Sequence, residues 1–342
     1  MNRLTRAFMG GAHAGRDVDA LLRAALLATL DRDLDAAEEH LSRAIGLDSN
    51  RIEPFVALAR LYRARGEVGR AIRIHQNLLL RHDLAEHHTP ILLDLAADYR
   101  QGGFLRRAIA TYEEALSRQP KSRVALRNLV RLLADAREFS RAIELARRLA
   151  RLEKDKSHAT EADLYVSMAE AARAEGRIDD ARKAARTAVR RNDESVRAWI
   201  ALGEIESERG KGKAALAAWS RVPGIDLAAG SLVYPRIQAT AASLGRSGDY
   251  AKLLQDVLDA NPGDASASLA MARQLAEAGD AEAAIARLEA LAATDPDDLA
   301  ARAALGRVLL AEGRAADCGS VLREILDILD RQHLLRPVDG FE

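Results

Sequence analysis

The stretch VRAWIALGEIESERGKGKAALAAW, residues 196–219, sets a ring at Trp199, a Leu202 and Gly203 pair, a glycine at Gly210, a small residue at Ala215 and a second ring at Trp219. That order describes two helices joined by a tight turn. Glycine ends the first helix because a left-handed residue there carries no Cβ penalty. The small residue five positions on lets the second helix approach the first closely, while bulky side chains fill the space beside it.

The same order recurs along the chain. Small residues stand at Ala37, Ala71, Ala108, Ala142, Ala181, Ala215, Ala284 and Cys318, and the steps 37 to 71, 108 to 142, 181 to 215 and 284 to 318 are each 34 residues. Gly66, Gly103, Gly176, Gly210, Gly279 and Gly313 lie five residues before their small partners, and Gly248 is read as marking a further repeat whose small position has become Leu253. Other copies agree through Phe55, Leu58, Ala59 and Tyr62, and through Leu95, Ala96, Tyr99, Tyr112, Ala115 and Pro120. The pattern resembles the tetratricopeptide repeat, a helix-turn-helix unit of about 34 residues. The resemblance implies an all-α fold, a right-handed α-solenoid of about nine such repeats over residues 20–330, because one repeat cannot bury its apolar face alone.

Longer steps between repeats place HDLAEHH (82–88) and LEKDKSHAT (152–160) in lengthened loops, and VPGIDLAAGSLV (222–233) forms an irregular join. The expected organisation is therefore a flexible N-terminal segment (1–19), an N-terminal array (20–222), a C-terminal array (223–330) and a tail (331–342).

Composition agrees with helices: 48% hydrophobic residues, rich in Ala, Leu and Arg, with eight prolines in 342 residues. Acidic and basic residues balance at 51 each, which excludes bulk attraction to nucleic acid or membrane. The balance hides an asymmetry. Residues 60–151 hold 19 Lys or Arg against 10 Asp or Glu, and residues 251–330 hold 7 against 15. An acidic last third and 4% aromatic content make nucleic acid an unexpected partner. Cys318 is the single cysteine, which excludes an internal disulfide or a zinc site of paired thiolates. The N-terminus lacks an apolar core of signal length, and no run approaches the roughly 18 apolar residues of a membrane span. A cytoplasmic chain without direct membrane insertion is expected.

Within the array, RGEVGRAIRIHQ (65–76), preceded by FVALARLYRARGEV, and LEKDK (152–156) are similar to segments of the lipopolysaccharide assembly protein B family. That resemblance covers most of residues 30–220. It implies an adaptor at the inner membrane that links the membrane AAA+ protease FtsH to control of a lipid A biosynthesis enzyme, with no catalysis in the repeats. The family also carries an N-terminal membrane anchor and a rubredoxin-like metal module. This chain is expected to lack both, having no N-terminal span and no CxxC pair. The alternative is a soluble or chaperone-like tetratricopeptide scaffold in another assembly pathway, such as pilus, secretion or envelope biogenesis.

In tetratricopeptide arrays the first helix of each repeat lines the concave face, and the resemblance places Arg60, Arg63, Arg100, Arg127 and Arg131 there, with Asn128 beside the last two. One reading is a groove for an acidic extended or helical segment of a partner, gripped by guanidinium forks. The other is a solvated face, since Arg is the dominant cation and there are only seven lysines.

No cofactor is expected. His82, His87 and His88 with Asp83 and Glu86 read as a polar loop, because adjacent histidines do not share a helix face. His75 occupies a packing position and reads as a core histidine, and Cys318 as a buried, unreactive thiol. No nucleophile elbow, P-loop, zinc-binding H-E-x-x-H or dinucleotide fingerprint occurs, and Asp297 and Asp298 have no partner base. The chain does not read as an enzyme.

Overall fold

Nine of the eleven described residues with left-handed backbone sit at turns inside helix pairs: Arg32 (φ 62°), Gly66 (80°), Gly103 (76°), Arg137 (60°), Gly176 (75°), Gly210 (69°), Gly245 (66°), Gly279 (87°) and Gly313 (72°); Lys154 and His158 flank the loop between the helices Phe139–Glu153 and Ala159–Ala174. The structure is a computed structural model that describes residues 3–332. At each of the nine, the N–H of the following residue donates to the carbonyl five positions back, as in Glu67 to Tyr62 (2.8 Å), Phe104 to Tyr99 (2.8 Å) and Arg314 to Leu309 (2.9 Å). This bond closes a Schellman motif, which stops a helix and reverses the chain within a few residues.

Two compact bodies result, one up to Leu164 and one from Tyr165 onward. The first holds four helix pairs: α1 (Arg3–Leu30) with α2 (Leu34–Leu47), α3 (Glu53–Ala64) with α4 (Val68–Leu79), α5 (His88–Gln101) with α6 (Leu105–Arg118), and α7 (Arg123–Asp135) with α8 (Phe139–Glu153). The boundary falls within α9 (Ala159–Ala174), whose partner is α10 (Ile178–Arg191). The second body continues with α11 (Val196–Glu208) and α12 (Gly212–Trp219), and the short α13 (Val222–Ile225). It ends with the pairs α14 (Gly230–Ser243) and α15 (Ser247–Ala260), α16 (Ala265–Glu277) and α17 (Ala281–Thr294), and α18 (Leu299–Ala311) and α19 (Ala315–Arg331). No strand occurs among the described residues, and the chain is all-α. The sequence division at residue 222 falls inside the second body. Of the expected terminal segments, the first overlaps α1, and residues 333–342 of the tail lie outside the described residues.

The small residue five positions after each turn is what brings paired helices together. Ala37, Ala71, Ala108, Ala142, Ala181, Ala215 and Ala284 are fully buried. In the last repeat the Cys318 thiol reaches the Gly306 carbonyl on the facing helix at 3.4 Å, so it packs as a small core group. Gly203 serves the same closeness. A Cβ there would stand 2.2 Å from the Trp219 indole nitrogen, so only glycine admits the ring. Apolar side chains continue the packing from one repeat to the next, as where α3 and α4 contribute Leu58, Leu61, Tyr62 and Ala71 to one cluster with Ala37 and Leu41 of α2.

Two expectations are corrected. The seventh turn is Gly245 and not Gly248, which lies inside α15. Gly245 also keeps the 34-residue step to Gly279, which Gly248 does not. Its small position is consequently Tyr250, buried to 1% exposure, and not the half-buried Leu253. A phenol stands where the other repeats have a methyl or thiol, and it lines two crevices, about 160 Å³ against α12 and α14 and about 90 Å³ against α14 and α16. Burial pushes the Tyr250 hydroxyl well above the ordinary phenol range, and pushes Tyr234 beside it up to about 12. The second correction concerns HDLAEHH. Residues 82–87 form a 3₁₀ turn, because Leu84 tucks under Leu78 and Ile91 and draws the segment onto the core.

The turns and the small position give opposite mutational signatures. Gly176→Ala should cost about 1 kcal/mol through its positive φ, whereas Arg32→Gly should be neutral or stabilising. Tyr250→Ala should not repair the seventh repeat but destabilise it by about 3 kcal/mol, because the helices are already spaced for a ring. Urea denaturation of the three variants checks both.

Candidate functional site

The first helices of successive repeats present equivalent residues one repeat apart. Arg60 and Arg63 leave α3 on the side that faces Asp94 and Asp98 on α5. Arg60 grips Asp94 with both arms of its fork, Nε to Oδ1 at 3.1 Å and Nη2 to Oδ2 at 2.7 Å. Arg63 donates to Asp94 Oδ1 (3.2 Å), to the Asp94 carbonyl (3.1 Å) and to Asp98 Oδ1 (2.9 Å). Asp98 is fully buried, and its second oxygen meets Nδ1 of the equally buried His75, on α4, at 2.6 Å. Five side chains from three helices thus form one ionic chain, running inward from exposed Arg60 to His75.

Electrostatics favour the charged forms of Arg60 and Asp94. Burial pushes the Asp94 carboxyl up, but the Arg60 guanidinium, by hydrogen bond and charge, and Arg63 more than reverse that, so it titrates below its usual range. The second body repeats the device. Arg173 on α9 pairs with Glu204 (2.6 Å) and Glu208 on α11, and Arg236 on α14 reaches Glu204 at 3.1 Å. Glu206 is buried between Arg182 and Arg209, whose hydrogen bonds overcome its desolvation and hold its carboxyl low.

The six residues named from sequence therefore fall into two groups. Arg60 and Arg63 are engaged in the ionic chain, and Arg127 on α7 pairs with Glu153 at 2.5 Å. Asn128 donates to the Val124 carbonyl (2.9 Å) and accepts from Arg131 at 3.4 Å. Arg100 and Arg131, both exposed, have no carboxylate within ion-pair distance among the described residues. They sit on neighbouring repeats about the buried Tyr112. Burial raises its phenol pKa, and the positive charges of Arg100, Arg63 and Arg131 pull the other way. Of the five arginines, Arg60, Arg100, Arg127 and Arg131 are exposed, and only Arg100 and Arg131 lack an ion pair among the described residues.

Sequence reasoning missed Asp94 and Asp98. The signal was present: each lies 34 or 35 residues after its arginine, which is one repeat. His75 is buried, as its packing position implies. Asp298 accepts from the Ala300 and Ala301 N–H groups at the start of α18, and Asp297 pairs with Arg331 at 3.0 Å. Both acidic residues of that pair are thus accounted for by a helix cap and an ion pair. Among the described residues no group of three or more His, Cys, Asp or Glu side chains could hold a metal ion, and no helix is long and apolar enough to cross a membrane.

Family models described as tetratricopeptide repeat match residues 93–157 and 166–226, and a second such model matches residues 275–334. Together they cover more than half of the chain. It is a tetratricopeptide repeat protein. Among curated relatives of these repeats, lipopolysaccharide assembly protein B of Escherichia coli (strain K12) is 29% identical over 272 residues, covering 79% of this chain and 66% of the relative. The protein of that name from Haemophilus influenzae (strain ATCC 51907 / DSM 11121 / KW20 / Rd) is 26% identical over 183 residues, covering 52% of this chain and 44% of the relative. The chain thus spans just under two thirds of the Escherichia coli relative. Among solved structures, a crystal structure of MamA protein aligns with 15% identity and a TM-score of 0.39 over 53% of this tetratricopeptide chain and 98% of its own.

Asp98→Ala should cost about 3–5 kcal/mol at neutral pH, since it leaves buried His75 without its partner and takes one carboxylate from Arg63. The acid limb has a definite sign. Asp94 titrates lower folded than unfolded, so its stabilisation is complete above an unfolded value of about 4 and is lost as pH falls through the folded value. Urea midpoints measured from pH 7 down to about 2 should decline below about pH 4, and less steeply in Asp94→Asn.

Proposed function

We propose that the chain is a non-catalytic adaptor of the lipopolysaccharide assembly protein B kind, holding one protein close to another through its repeats. The observation that carries this reading is the alignment with that family over 272 residues, 79% of this chain. The adaptor acts in the cytoplasm, peripheral to the inner membrane through a bound partner. That partner is a membrane AAA+ protease of the FtsH type or a lipid A biosynthesis enzyme.

The exposed groove of the first body receives an acidic segment of this partner. Arg100 and Arg131 supply forks that the fold has not already engaged, and Arg127 lies beside them. A guanidinium without an internal carboxylate loses no ion pair when it meets one from outside, whereas recruiting Arg60 or Arg63 would break the contacts to Asp94.

An affinity pull-down from the native cell extract tests the reading. The Arg100→Glu/Arg131→Glu variant should keep its helical circular dichroism and lose the protease or the lipid A enzyme, at least tenfold, relative to the unaltered chain. Recovery of the same proteins by the variant would remove the groove from the proposal. A stable partner from a pilus or secretion system in place of either would move the adaptor to another assembly pathway.

A further inference from the structure

A second charged groove lies between α10 and α11, wholly within the second body and apart from the arginines above. It encloses about 680 Å³. Lys183, Arg186 and Arg190 line one wall, spaced i, i+3 and i+7 along α10, so their charges follow one helix face over roughly 10 Å of rise. None has a carboxylate within ion-pair distance among the described residues, and Arg190 makes only a 3.1 Å bond to the Thr187 hydroxyl. The other two charged groups of the groove are engaged elsewhere. Arg182 holds buried Glu206 at 2.6 Å, and Asp179 pairs with Arg209 at 3.1 Å. The face that remains is cationic in a chain with no net charge.

The opposite wall is aromatic and apolar. Trp199 is half-buried and fixed, its indole N–H donating to the Asp193 carbonyl at 2.7 Å, with the Arg221 guanidinium 5.7 Å from the ring centre. Val189 and Leu202 complete the lining. An anion alone would use the cations and leave the indole idle. A peptide with carboxylates one and two helical turns apart and an apolar side chain between them uses both walls. Nucleic acid is the poorer match, because a single fixed ring stacks one base and gives no platform for its neighbours.

We propose that this groove is a docking site for an acidic segment of a protein partner, with its carboxylates on Lys183, Arg186 and Arg190 and an apolar side chain against Trp199. The site shares no residue with the arginines of the first body, so the chain carries a second place for a partner. That is the minimum an adaptor requires.

Trp199 is also the reporter, since the only other tryptophan, Trp219, is 3% exposed. The probe is a synthetic peptide with glutamates at i, i+3 and i+7 and a leucine at i+4, titrated into the whole chain at low salt. We expect a saturable change in emission that Trp199→Phe abolishes and that weakens as salt rises. Lys183→Glu/Arg186→Glu/Arg190→Glu should weaken binding by at least about tenfold with unchanged circular dichroism, whereas Arg100→Glu/Arg131→Glu should leave it unaltered. No saturable change, equal affinity in the triple variant, or tighter binding of an oligouridylate than of the peptide would each overturn the proposal.

Discussion

The left-handed turn followed five residues later by a small side chain is the constraint on which everything else rests. The turn fixes where the first helix stops, and the small side chain fixes how near the second may come. Together they put residues one repeat apart in sequence on equivalent positions of adjacent helices. A side chain then has a predictable neighbour about 34 positions away, which is otherwise a long loop to close. Local geometry thus substitutes for long-range search, and contacts stay between adjacent repeats.

That regularity lets the protein use charge economically. Arg60 with Asp94, Arg63 with Asp98, and Arg173 with Glu208 are three instances of opposite charges one repeat apart. Such pairs set which repeat may follow which, because a mismatched neighbour would strand a desolvated Asp98 or Glu206. Exposed cations without an acidic counterpart, Arg100 and Arg131 in one body and Lys183, Arg186 and Arg190 in the other among them, differ from the paired ones in their neighbours and not in their charge. Composition could not separate the two groups.

Much of the fold was legible because a period is a one-dimensional property. The 34-residue steps located the turns wherever glycine or alanine marked them. Reading failed where a residue departed from type. Arg32 and Arg137 adopt the left-handed turn without being glycine, and Tyr250 fills a position defined elsewhere by smallness. Gly248, a glycine close to the right place, drew attention from Gly245. The candidate site was less legible for a different reason. The arginines were compared with one another along one helix face, while their partners lay on the next helix, a relation that the period alone could have suggested.

The seventh repeat has a consequence for how the second body comes apart. In a linear array each repeat is held by its own pairing and by its two neighbours, so cooperativity is only as long as the runs between weak links. The pair α14 and α15 combines a ring between its helices, buried phenol hydroxyls at Tyr234 and Tyr250 with no protein partner, and Pro235 inside α14. It is therefore the seam of that body. In an array held together by neighbour contacts, such a pair is where local opening is expected first.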